Sequence, residues 1–239
     1  MHKYLPEERG KKRELAYRDT KSGIFIEQDY SRQGGAQTIT FRCVCEVCNT
    51  GWMNTLEQQA KEILIPLIEG RNVTILGKGL KTLIEWVTLK VLVGENADRN
   101  MGTTSSADLL AFKEDRSIPP SLRIWIGTYG NRDYFRTEHL YKAVAIHPDK
   151  IRMEPPPNVY SMITTFGYFV VHVRSSVYDR LNVHRVFKRI ESVELLTPRF
   201  DDPEKKILKW PPAQARIPGA PSALVDDFCN WTNAHGKRV

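Results

Sequence analysis

The hydrophobic period of the chain changes at Pro119-Pro120, and this change constrains the fold more than any other feature. Before the two prolines, apolar residues recur at three- and four-residue steps, which is typical of helices with one buried face. After them, over residues 122–126, apolar and polar or aromatic residues alternate as in a strand. We therefore expect an α+β fold in which a strand–knuckle–helix module and further helices precede a mostly antiparallel sheet. The expected regions are an irregular basic arm (1–35), the module (36–70), a helical segment (71–120) and a β-rich region with a proline-rich tail (121–239).

The clearest helical pattern runs from Trp52 to Ile68, where the apolar residues form one face. Trp52 and Met53 lie on this face, so we interpret them as core residues rather than a stacking surface. Asn49 or Thr50 can cap the start of this helix, and Gly70 can close its end. Other elements are predicted as follows: helices over 79–96, from about Ser106 and over 222–233, and strands over 37–44, 122–126, 141–146, 159–165 and 168–174.

Length and charge set broad limits on function. The 239 residues suit one large domain, or a small module joined to a larger one. The net charge of +7 indicates either a basic solvated surface or a polyanionic partner such as DNA. The most basic point of the arm contains Arg9, Lys11, Lys12 and Arg13, which are candidate nucleic-acid contacts. No apolar run approaches the ~20 residues of a membrane span, and residues 1–21 lack a signal-peptide core, so we expect a cytoplasmic protein without a membrane partner.

The four cysteines are unevenly placed, at positions 43, 45, 48 and 229. Cys45 and Cys48 form a C-x-x-C between a predicted strand and a predicted helix. Such a turn directs two thiolates at one metal ion and forms half of a structural zinc knuckle. Cys43 could be a third ligand, although a packed strand residue explains it better. Cys229 lies on an apolar face, where a buried free thiol is the simpler interpretation.

The segment Cys45–Glu57, with the sequence CEVCNTGWMNTLE, resembles a known pattern. It is similar to a family of largely uncharacterised bacterial and phage proteins related to HNH endonucleases. Members of this family look like C-x-x-C-N-x-G-W-M-x-x-L-E, followed by a helix that runs to a Pro-Leu-Ile segment. Further similar features occur later in the chain, at Pro66-Leu67-Ile68, Trp125-Ile126-Gly127, Phe166-Gly167 and Trp210-Pro211-Pro212.

The resemblance implies a ββα-metal unit in which two strands and a helix hold one catalytic divalent cation such as Mg²⁺. A zinc ion bound by two C-x-x-C pairs staples the unit, and Cys45 and Cys48 correspond to the second pair. Asn49, the next residue, corresponds to a ligand of the catalytic cation. The implied activity is metal-dependent hydrolysis of DNA, with a histidine upstream of the knuckle as general base.

The chain departs from the family pattern in the half that carries catalysis. No C-x-x-C precedes Cys43, and the only acidic-His step is Glu138-His139, far downstream. Residues 1–6 resemble the segment that follows the catalytic histidine in longer members, so we expect an HNH-endonuclease-like protein that is truncated at its N-terminus and catalytically incomplete. Two alternatives remain: a non-enzymatic module that binds nucleic acid or protein through a structural knuckle, and a structural or interaction protein of a prophage.

Overall fold

The structure is a computed structural model that describes residues 13–18, 25–30, 43–96, 104–129, 139–144, 159–176, 194–196, 207–211 and 216–217. Several predictions lie outside these residues: the strand over 37–42, the helix over 222–233, and the side chains of Arg9, Lys11, Lys12 and Cys229. The described residues contain both helices and strands, and the predicted α+β class is confirmed.

The predicted helix over residues 52–68 is confirmed, and it begins earlier than the pattern indicated. Helix α1 (Glu46–Cys48) leads into a π-helical turn (Asn49–Met53) and then into helix α2 (Asn54–Ile68). The helical path bends at Gly51, whose φ of −88° and ψ of −113° lie outside the helical region. The apolar face of α2 is buried, as the spacing predicted.

Gly70 ends helix α2 as predicted. Its φ of +67° is left-handed, a conformation that suits glycine because no Cβ is present. The Gly70 N–H donates to the carbonyl of Leu67 at 3.2 Å, and the Arg71 N–H donates to the carbonyl of Pro66 at 2.9 Å. These two bonds form a Schellman motif and satisfy carbonyl groups that the helix end would otherwise leave without donors.

Helix α3 (Gly77–Asn96) and helix α4 (Ser106–Asp115) complete the helical part. Ser105 caps α4: its hydroxyl accepts the N–H of Asp108 at 3.1 Å and donates to the Asp108 carboxylate at 2.7 Å. Helix α3 is buried on most sides, through residues that include Leu83, Val87 and Val91. None of the helices within the described part of the chain is long and apolar enough to cross a membrane.

The region 71–120 is not purely helical, which corrects the prediction. Strand β3 (Val73–Leu76) separates α2 from α3 and pairs antiparallel with strand β9 (Ile207–Trp210). The sequence Val-Thr-Ile-Leu favours a strand because three of its four side chains are branched at Cβ. Its partner strand lies far downstream. Local helical spacing carries no information about a pairing with β9, more than 130 residues away.

A six-stranded sheet forms most of the C-terminal part. Its strands are β4 (Leu122–Tyr129), β5 (His139–Val144), β6 (Val159–Phe166), β7 (Phe169–Ser176), β8 (Glu194–Leu196) and β10 (Arg216–Ile217). The order is β10-β4-β7-β6-β5, and β8 also pairs with β4. Among the strand pairs of the described residues, the β10–β4 pair alone is parallel. The strands predicted over 122–126, 141–146, 159–165 and 168–174 correspond to β4, β5, β6 and β7, and the β6–β7 hairpin is confirmed. Gly167 at its turn has a φ of +57°.

The N-terminal arm is not irregular where the structure describes it. Strands β1 (Arg13–Arg18) and β2 (Phe25–Tyr30) pair antiparallel, with Arg13 opposite Tyr30. The prediction gave weight to the charges of this arm, but the backbone hydrogen bonds of a ladder do not depend on side-chain charge. Arg13 therefore starts a paired strand.

The two faces of the sheet differ in character. One face contributes Ile124, Ile126 and Val173 to the core shared with α2 and α3. On the other face, Trp125 stacks on its cross-strand neighbour His172, with ring centroids 5.3 Å apart and planes 26° apart. Burial lowers the pKa of His172 well below its usual value, and the charge of Arg174 adds to the effect. His172 is therefore a neutral, packed residue rather than a base open to substrate.

Candidate functional site

The Cys45–Cys48 turn is built by backbone hydrogen bonds around Cys45. Cys45 has an extended backbone (φ −74°, ψ 155°) and is the N-cap of α1. Its sulfur accepts the N–H of Cys48 at 3.4 Å, and its carbonyl accepts the N–H of Asn49 at 3.0 Å. The predicted caps, Asn49 and Thr50, were therefore wrong, because the helical turn starts at the first cysteine. The arrangement holds both cysteines of the C-x-x-C in one tight turn.

The turn favours a thiolate at Cys45. The N–H of Cys48 lowers the pKa of Cys45 most, the Cys48 thiol lowers it further, and the charge of Lys113 on α4 adds a smaller effect. Because Cys45 is exposed, solvent and metal ions have access to its sulfur. Metal binding needs a deprotonated thiol, so these effects favour binding of a soft cation at this turn.

Cys43 does not share the hydrogen bonds of the Cys45–Cys48 turn. Its thiol is half-buried and contacts the carbonyl of Val93 on α3 at 3.8 Å. Burial raises the pKa of Cys43, which opposes formation of a thiolate. Cys43 and Val44 are not in a strand, in contrast to the prediction, because the chain is already bending into the knuckle turn there. In the part of the chain that the structure describes, no three His, Cys, Asp or Glu side chains gather as a metal site.

Asn49 lies where the resemblance expects it, directly after Cys48, at the start of the π-helical turn. Its side chain is exposed. A hard cation such as Mg²⁺ prefers several oxygen ligands, and one amide oxygen supplies a single contact. Within the described ranges, no three His, Cys, Asp or Glu side chains gather as a site for such a cation.

A cleft of about 270 Å³ lies beside the knuckle turn. Cys43, Cys45 and Cys48 line one part of this cleft. Side chains of the π-helical turn, α3 and α4 form the rest; most are apolar, and Asn96 and Lys113 are the polar ones. No sequence pattern predicted this cleft, because Phe112 and Lys113 approach the turn only through tertiary packing.

Trp52 connects the knuckle to helix α4. Its ring meets Phe112 edge-on, with centroids 5.9 Å apart and an interplanar angle of 74°. The Arg116 guanidinium carbon lies 3.7 Å from the Trp52 ring centroid, within the range of a cation–π contact. The Arg116 guanidinium also donates to the carbonyls of Phe112, at 2.8 Å, and of Lys113. These hydrogen bonds cap the C-terminal end of α4. Trp52 and Met53 both pack against the core, as predicted.

Comparison with known proteins adds no relative: no protein-family model, curated protein or solved structure matches this chain. The fold and the site therefore define the class by themselves. The chain is an α+β protein with an exposed two-cysteine turn at the start of a helical segment. The resemblance to HNH endonucleases remains a prediction.

Proposed function

We propose that this chain is an HNH-endonuclease-like protein that binds DNA in the cytoplasm and is catalytically incomplete. In this proposal, Cys45 and Cys48 bind zinc as half of a structural knuckle. The observation that carries it is the hydrogen bond from the Cys48 N–H to the Cys45 sulfur at 3.4 Å. This bond fixes the turn and favours the thiolate form that a zinc ligand requires.

The donor set fits half of a zinc site. Two thiolates are soft ligands, and closed structural zinc sites use four ligands, commonly cysteine or histidine. A bound zinc ion would supply a cross-link without redox chemistry. The chain's own contribution is to hold the two sulfurs in one turn and to place Lys113 near Cys45, where its charge offsets that of the thiolates. Trp52 and α4 support the helical segment that follows the turn.

The described residues offer less for hydrolysis of DNA than for binding of DNA. Water attack on a phosphodiester needs a general base, which contributes about 10²–10⁴-fold to the rate. Of the histidines in the described part, His172 is buried beneath Trp125 and His139 starts strand β5. Both lie in the sheet rather than in the Cys45–Cys48 turn. Binding of DNA does not need these groups, since basic residues attract phosphates directly.

Cobalt titration tests the metal part of the proposal. Co²⁺ bound by thiolates gives a charge-transfer absorption that reports each cysteine ligand. We expect this band in the wild-type chain and at least about tenfold weaker binding in Cys45→Ser and Cys48→Ser. Cys43→Ser is the matched control and should bind as the wild type does, because its thiol contacts Val93 instead. Loss of the band in Cys43→Ser alone would contradict the assignment.

A plasmid assay tests the nucleic-acid part. We expect salt-sensitive DNA binding, and no nicking above background with Mg²⁺ or Mn²⁺. Replacing the four basic arm residues with alanine (Arg9, Lys11, Lys12, Arg13) should reduce the slope of log affinity against log salt by up to about 3–4, close to 0.9 per lost phosphate contact. Lys78→Ala with Lys81→Ala, on the exposed side of α3, is the control and should change it less. Nicking that disappears in Asn49→Ala would instead place an active site in this chain.

A further inference from the structure

We propose that two copies of this chain share one zinc ion, each copy contributing Cys45 and Cys48. This inference rests on the proposed function, because it requires the two-cysteine turn to bind zinc. It adds the source of the missing ligands, which is a second copy of the same chain, and it makes the metal site an interface between two molecules.

The number of ligands motivates the proposal. A closed structural zinc site has four protein ligands in tetrahedral arrangement. The described residues bring together two of them, and no third His, Cys, Asp or Glu joins the pair within those residues. A two-fold axis through the metal ion converts two ligands into four without any further residue. Such isologous contacts are the commonest form of association between identical chains.

The exposure of the turn allows a second copy to approach. Cys45 is exposed and Cys48 is half-buried, so the pair is accessible from solvent. Val47, which lies between the two ligands, is 81% exposed, the highest value among the large exposed apolar residues of the described part. At a two-fold contact centred on the metal ion, Val47 of each copy lies close to the axis. Its burial there would add to the association.

The charges near the turn are compatible with a shared site. Four thiolates around one Zn²⁺ carry a net charge of −2. Each copy places Lys113 near Cys45, so two lysines can balance this charge. Glu46 is exposed at the same turn and opposes the approach of a second copy. The two lysines offset either the zinc site or the two glutamates but not both, so the assembled site keeps a net charge of −2 and association relies on the four zinc–sulfur bonds.

The test is the mass of the full chain in solution as zinc is added. We expect a monomer in the presence of a chelator and a dimer when one zinc ion is present per two chains, measured by sedimentation velocity and native mass spectrometry. Cys45→Ser should abolish the dimer. Val47→Glu keeps both ligands and should also abolish it, because it adds charge near the axis. Ile207→Glu, a matched change at another exposed apolar residue on β9, should leave the dimer intact.

The outcomes separate this inference from the function on which it rests. A monomer with one tightly bound zinc per chain would overturn the shared site and retain the zinc-binding turn. A dimer that persists in chelator, or that survives in Val47→Glu, would overturn the shared site as well. No zinc or cobalt binding at all would overturn both proposals. A zinc-dependent dimer lost only in the cysteine and Val47 variants would support the shared site.

Discussion

Replacing Gly70 with alanine is expected to lower the free energy of unfolding by about 2–5 kcal/mol. Two effects add. The φ of +67° is left-handed, and an alanine there loses roughly 1–2 kcal/mol relative to its preferred conformations. A Cβ at this position would also lie 2.8 Å from Cδ2 and 2.9 Å from Cγ of the Tyr168 ring. Such overpacking typically adds about 1–3 kcal/mol. Urea denaturation followed by circular dichroism measures the change.

The Tyr168 ring cannot easily move away from an added Cβ. The Tyr168 N–H donates to the carbonyl of Ile68 at 3.0 Å, which fixes the β6–β7 turn against the end of α2. The atoms that would clash lie at the near end of the ring, next to the backbone. The hairpin and the helix end would therefore have to separate, which would break this hydrogen bond as well.

Two further variants separate the contributions at Gly70. Asparagine tolerates the left-handed conformation but still carries a Cβ, so Gly70→Asn should recover only the conformational part, about 1 kcal/mol. Gly51→Ala is the control for a glycine in the same helical segment, because a Cβ there meets no atom within 4 Å. Unchanged stability in Gly70→Ala would contradict both the left-handed conformation of Gly70 and its contact with Tyr168.

Local features of the sequence were sufficient for the helices and for several strands. The apolar spacing of α2 and the glycine after it depend on neighbours within a few residues, so the pattern and the structure agree. The alternation over β4 predicted a strand correctly for the same reason. Strand β3 was not predicted because its partner β9 is distant in sequence. The many charged residues of the arm predicted an irregular segment, but the pairing of β1 with β2 depends on backbone hydrogen bonds that side-chain charge does not indicate.

The candidate site was predictable only in part. The spacing of Cys45 and Cys48 indicated the turn, and the structure places a hydrogen bond across it. Cys43 was predicted to lie apart from the pair as a strand residue, but it is not in a strand, and its thiol contacts Val93 on α3 instead. The cap at Cys45 was missed, since sequence rules favour Asn or Thr over a thiol. Lys113 was missed because only the packing of α4 brings it near Cys45.

Trp52→Ala is expected to destabilise the protein by about 2–3 kcal/mol, somewhat below the value for a fully buried tryptophan because the side chain is half-buried. The variant loses the edge-on contact with Phe112 and the surface on which Arg116 stacks. It also opens the wall of the cleft beside the knuckle. Denaturation measures the stability, and the cobalt titration measures whether the two-cysteine turn remains intact.

Trp52→Phe is the informative companion to that variant. Phenylalanine keeps an aromatic face for Arg116, and it removes the indole N–H, which is buried and has no hydrogen-bond acceptor among the described residues. Relief of an unsatisfied buried donor is worth roughly 1–3 kcal/mol and opposes the loss of ring area. We therefore expect Trp52→Phe to lie within about 1 kcal/mol of the wild type. If both variants lose the same stability, the aromatic face is not what joins the knuckle to α4. A double-mutant cycle with Arg116→Met then measures the stacking itself, and a coupling near zero would leave α4 attached through Phe112 alone.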